Sequence, residues 1–153
     1  MNNEITDKTK TIIYCLSFGG LLPFVISLVG IYSDSKELSS YAMIAFVSYG
    51  AVILGFIGAV HWGLLLKTDS IQRQGLLLSI SVLPGLIGWL VLISPLPAAL
   101  LMLCIAYPLL FVYEKYSELN NLLPVWYMLM RFRLTIVVTL FMLIGLGTVY
   151  SMG

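Results

Sequence analysis

Long uncharged stretches separated by short charged clusters set the pattern of this chain. Thr11–Ser33 carries no charge and is followed by Asp34, Lys36 and Glu37; Leu38–Leu66 is again uncharged and is followed by Lys67, Asp69 and Arg73. Gln74–Tyr113 is a run of forty uncharged residues, and Leu134–Gly153 a run of twenty. One helix needs roughly 20 apolar residues to cross a bilayer, so the forty-residue run holds two crossings. Ser94-Pro-Leu-Pro97 divides them, because paired prolines end one helix and open the next. The pattern predicts an all-α integral membrane protein, a bundle of five transmembrane helices at about 11–32, 40–66, 75–94, 97–113 and 127–151. The segment 119–130 is neither a full span nor an ordinary loop. Asn120 or Asn121 is placed to cap a helix whose first turn holds Pro124, and Trp126 and Tyr127 suit the headgroup level. It either lies along the interface or forms a tilted lead-in to the last helix.

Composition agrees with a lipid-solvated chain. The hydrophobic fraction is 60% and the charged fraction 10%, against roughly 45–50% and 25% for soluble domains. The 153 residues suggest a single membrane domain. A net charge of +1 gives no global attraction to nucleic acid. The placement of the charges is more telling. Lys8, Lys10, Lys67, Arg73, Lys115, Arg131 and Arg133 fall on the side of the N-terminus, and Lys36 alone on the other. The positive-inside rule then predicts a cytoplasmic N-terminus and a C-terminus outside. Two acids and no arginine among the first seven residues argue against a mitochondrial transit peptide, and the first apolar run is too long for a signal-peptide core.

Ser48–Gly63 concentrates the candidate chemistry. Ala51, Gly55, Ala59 and Gly63 recur every fourth residue, a spacing that predicts a stripe where another helix packs closely. The same stretch holds the only histidine, His61, about six residues or roughly 9 Å from the predicted inner end of its helix. An ionisable residue inside a membrane is a functional candidate by default. Its bland alternative is a hydrogen bond to a carbonyl or hydroxyl that fixes helix packing. Arg131 and Thr135 begin the last helix at the same level; Asp69 and Glu114 close adjacent turns. Arg131 and Arg133 point about 200° apart, so one is expected to face the bundle with Thr135 while the other reaches the headgroups. An inward arginine needs a partner, and by level that is Glu114 or Asp69.

Pro23 and Pro84 fall near mid-membrane and predict two helix breaks. Such interruptions either mark a transport site or kink a packed bundle. Cys15 and Cys104 are read as small buried hydrophobes. They lack metal-ligand spacing, so no metal and no cofactor is expected. Nothing matches a nucleophile with its base, a carboxylate pair or a phosphate loop, and no catalytic residue is assigned.

Gly20-Leu-Leu-Pro-Phe24, Tyr49–Gly63 ending in Ala-Val-His-Trp-Gly, and Pro124-Val-Trp-Tyr followed by Arg131-Phe-Arg-Leu-Thr135 together resemble the domain of unknown function 3429 / transmembrane protein 69 family. The resemblance runs over nearly the whole chain. It implies a small multi-helix protein of bacterial and mitochondrial inner membranes and implies no reaction. Without a targeting extension, the expected location is the bacterial cytoplasmic (inner) membrane. Two functions from different classes remain. The first is a non-enzymatic bundle that contacts membrane lipids or associates with another membrane protein or a second copy. The alternative is a small proton-linked transporter, with His61, Arg131 and Thr135 lining a cytoplasm-side vestibule above the breaks at Pro23 and Pro84.

Overall fold

A computed structural model describes residues 6–67 and 73–152. The described residues form seven α-helices: α1 (Asp7–Gly19), α2 (Leu22–Ile31), α3 (Lys36–Leu65), α4 (Gln74–Ser81), α5 (Leu83–Ile93), α6 (Leu96–Tyr116) and α7 (Val125–Met152), with a 3₁₀ turn at Glu118–Leu122 before α7. Helices α1 and α2 run on as one span and α4 and α5 as another. Five helical spans among the described residues are therefore long and apolar enough to cross a membrane.

The helices start earlier than the uncharged runs suggest. Asp7, Lys8 and Lys10 belong to α1, and Lys36 and Glu37 open α3. An uncharged run measures the hydrocarbon depth, whereas a helix continues into the headgroup layer until a cap stops it. At α3 that cap is Ser35, whose Oγ accepts from the Leu38 amide at 3.4 Å. Asn120 and Asn121 do not cap α7. They lie in the 3₁₀ turn, and Leu123 is extended (φ −105°, ψ 133°), as a residue before proline prefers. Residues 119–130 are thus divided, the first part a short turn and 125–130 the opening of the last helix.

Helix α3 is the hub. Of its most apolar stretch 44% is buried, against 6% for that of the first span, whose α1 part buries no side chain. Phe24, Phe46, Leu54, Leu100, Leu103 and Met142 form the centre of the core, drawn from four spans. The close packing of α3 against α4 and α5 runs along Ala51, Gly55 and Gly58. A Cβ added at Gly58 would lie 2.5 Å from the Ser81 carbonyl oxygen, and one at Gly88 2.7 Å from that of Ala51. Gly55 faces Gly85, 3.6 Å from where its own Cβ would be. Ala59 and Gly63, by contrast, are exposed, and nothing lies within 4 Å of a Cβ at Gly63. Steps of four residues drift about 40° each at 100° per residue, so the four-residue stripe winds off the contact face by its third member. The steps 51, 55, 58 stay within about 60° of one another.

Both proline breaks are present and both are packed. Pro23 sits in the first turn of α2, and the chain turns at Gly20 and Leu21. The Gly20 carbonyl accepts from Tyr49 Oη of α3 at 2.8 Å. Pro84 opens α5 and rests against Gly58. Cys15 is exposed on α1 rather than buried, because α1 buries none of its side chains.

Candidate functional site

Three helices meet at the end of the bundle where α1 and α7 begin. His61 lies one turn before the end of α3, Glu114 in the last turn of α6, and Arg131 in the second turn of α7. Glu114 lies between the other two. Its Oε1 shares a hydrogen bond with His61 Nε2 at 2.9 Å and accepts from Arg131 Nη2 at 2.8 Å, while its Oε2 accepts from Arg131 Nε at 3.2 Å. All three are buried, at 2%, 1% and 8% exposure. Burial of this kind is tolerated only where charge is paired and hydrogen-bonded, and the two-pronged guanidinium–carboxylate contact supplies that pairing.

The helix register explains the meeting. Arg131 and Thr135, one turn apart, lie on the buried face of α7, and Arg133 is exposed. On α6, Tyr107, Leu110 and Glu114 share a face at spacings of three and four and are all buried. Tyr107 Oη donates to the Gly50 carbonyl at 2.8 Å, which ties α6 to α3 one level deeper. Asp69, the other partner that level alone permits for Arg131, lies outside the described residues. Gln74, the first residue of α4, reaches back to the end of α3, its side-chain amide donating to the Leu65 carbonyl at 2.6 Å.

A cavity of about 180 Å³ opens beside the triad, between the first span, α3 and α7. His61, Arg131, Thr135 and Tyr107 supply its polar wall; Phe24, Ile57 and Val138 belong to the apolar remainder. Leu16 of α1 and Phe56 of α3, on its rim, are exposed at 72% and 63%. The mouth therefore faces the apolar flank of the bundle rather than its polar end. Two polar atoms of the wall residues are buried without a hydrogen-bond partner, His61 Nδ1 and Thr135 Oγ1. Arg131 donates to both oxygens of Glu114, so both carboxylate oxygens act as acceptors toward it. Tyr113 of α6, its ring centroid 6.4 Å from that of His61, adds a third unpartnered buried polar atom, its Oη. Among the described residues no group of three His, Cys, Asp or Glu side chains gathers as a metal site.

Tyr107 and Tyr113 were not singled out by the sequence pattern, and Tyr127 was read only as a headgroup-level residue. The signal for Tyr107 is its seven-residue spacing from Glu114, which places both on one helix face.

The sequence profile of a protein family described as "Protein of unknown function (DUF3429)" matches residues 9–147. The chain belongs to the DUF3429 family. This DUF3429 chain is also 30% identical over 151 residues to "Transmembrane protein 69" of Xenopus tropicalis, an alignment that covers 92% of the chain and 55% of that relative. The chain thus spans about half the length of the curated relative it matches. No solved structure matches it. The matched region contains all of the triad, the cavity-lining residues and both helix breaks.

Proposed function

We propose that this DUF3429 protein is a non-enzymatic membrane bundle that takes a lipid-soluble molecule into the cavity between its first span, α3 and α7. The single observation that carries this reading is a flank-facing cavity whose apolar body ends on a charge-neutralised polar wall. Small-molecule sites have this form, mostly apolar surface with a few placed polar groups. Helix α1, which buries none of its side chains, gives such a molecule a route from the lipid without opening the core.

The triad's chemistry suits holding rather than transport of charge. Arg131 and Glu114 neutralise each other, so no free charge awaits an ionic substrate. The Gly20 carbonyl at one break is occupied by Tyr49, and Pro84 at the other rests on Gly58. Both breaks serve packing, which favours this reading over a proton-linked carrier. The segregation of basic residues supports a cytoplasmic N-terminus, which would set the triad in the inner leaflet of a bacterial cytoplasmic membrane.

Native mass spectrometry from a mild detergent tests the reading. Wild-type protein is expected to retain a non-covalent lipid-soluble molecule, and Val60→Trp, which fills the cavity from α3, is expected to lose it. Equal retention by both proteins, or none by either, would sink the proposal.

A further inference from the structure

We propose that the groove between α6 and α7 seats one acyl chain of an anionic phospholipid, whose phosphate is held between Lys115 and Arg133. The groove lies round α7 from the triad's cavity, with Thr135 lining both. Neither site depends on the other.

Shape comes first. Pro108, Phe111 and Val112 of α6 and Phe132, Ile136 and Leu140 of α7 line a groove of about 440 Å³, within the roughly 300–1,000 Å³ of ligand sites. Its walls are apolar, and Val112, Phe132, Ile136 and Leu140 are all exposed. From Phe132 to Leu140 it runs about 12 Å along α7, at 1.5 Å per residue. The hydrocarbon of one leaflet is roughly 15 Å deep, half of the whole core. That length suits one acyl chain, whereas a partner's transmembrane helix would seek contact over the whole roughly 30 Å.

Charge selects the headgroup. Lys115 and Tyr116 stand at the end of the groove nearer the start of α7, with Lys115 Nζ 5.4 Å from the centre of the Tyr116 ring. Arg133 is exposed. It lies about 20° round α7 from Leu140 and about 60° from Ile136, so it flanks the same face. Its Cα is about 3 Å deeper than that of Arg131, and its long stem, like that of Lys115, carries the charge outward to the headgroups. Among the described residues neither side chain is in an ion pair. Glu114 is turned inward to His61 and Arg131, and Glu118 is exposed and pairs with neither cation. Two unpaired cations at one end of an apolar furrow complement a phosphate joined to an acyl chain. A zwitterionic headgroup brings its own cation and gains less.

Native mass spectrometry of delipidated protein in a mild detergent tests the assignment, with dioleoylphosphatidylglycerol and dioleoylphosphatidylcholine as the two probes. Phosphatidylglycerol is expected to bind the wild-type chain about tenfold more tightly. Lys115→Gln and Arg133→Gln are each expected to weaken it about fivefold, and together about 25-fold, with phosphatidylcholine little changed. Ile136→Trp, which fills the groove, is expected to weaken both lipids. Lys67→Gln removes an exposed cation away from the groove, and Val60→Trp fills the triad's cavity; both are expected to leave phosphatidylglycerol binding unchanged. Equal affinity for the two lipids, or an equal loss with Lys67→Gln, overturns the headgroup site. A loss with Val60→Trp alone puts the lipid in the triad's cavity, which overturns the groove site and leaves the cavity reading standing. A dimer broken by Ile136→Trp gives the groove to a second copy and also overturns it. If neither lipid binds the wild-type chain, the groove site falls, whatever molecule the cavity retains.

Discussion

Glu114 serves two partners from two other helices, and this makes it the residue whose loss is felt most. Replacing it by Gln leaves the Arg131 guanidinium buried without a counter-ion. Breaking such a pair from one side costs about 3–5 kcal/mol, whereas removing both charges is often close to neutral. We expect Glu114→Gln to lower the thermal midpoint in detergent strongly, and Glu114→Gln with Arg131→Met to restore much of it. A double variant no more stable than the single one would show that the pair is not the source of the loss. The sequence makes the level of His61, Arg131 and Thr135 readable, because charge breaks and the segregation of basic residues fix depth. It does not make the partner readable. Glu114 and Asp69 share a level, and only the rotation of α6 about its axis brings Glu114 onto both His61 and Arg131.

At the scale of the element, the contact of α3 with α4 and α5 rests on missing side chains. Gly58→Ala would drive a methyl to 2.5 Å from the Ser81 carbonyl, and Gly88→Ala to 2.7 Å from that of Ala51. Backbone atoms cannot swing aside as a flexible side chain does, so the helices must separate. Each change is expected to destabilise by about 1–3 kcal/mol. Gly63→Ala meets nothing within 4 Å and should be neutral or stabilising by up to about 1 kcal/mol, through helix propensity. Parallel melting curves of the three variants check the order; a loss at Gly63 equal to that at Gly58 would contradict it. A repeat of four announces this helix as a packing helix but misassigns half its members, since the drift per step exceeds the width of the contact. The helix breaks were readable because proline acts locally. The ends of α1, α3 and α7 were not, because a change of charge marks the edge of the hydrocarbon and not the last helical residue.

For the whole molecule, the number of spans follows from the lengths of the uncharged runs, and five helices of suitable length and hydropathy occur among the described residues. Under the proposed orientation, five crossings put the two ends of the bundle on opposite sides. Cysteine labelling of intact cells is expected to modify a cysteine at Lys36, between the first span and α3, and to spare one at Lys115. The reverse pattern would invert the proposed orientation. What no run length or spacing reveals is the gap beside the triad. It arises because the first span packs through α2 on α3 while α1 leans on α7 chiefly through Tyr14, whose ring lies 5.9 Å from that of Trp126. On the reading proposed above, this gap holds a lipid-soluble molecule. A density map of the protein in a lipid nanodisc decides whether it does. Density that no side chain of the protein explains is expected in the cavity beside Phe24 and Val138, with a tail leaving between Leu16 and Phe56. A map in which α1 closes against α3 and fills that space with its own side chains would contradict it.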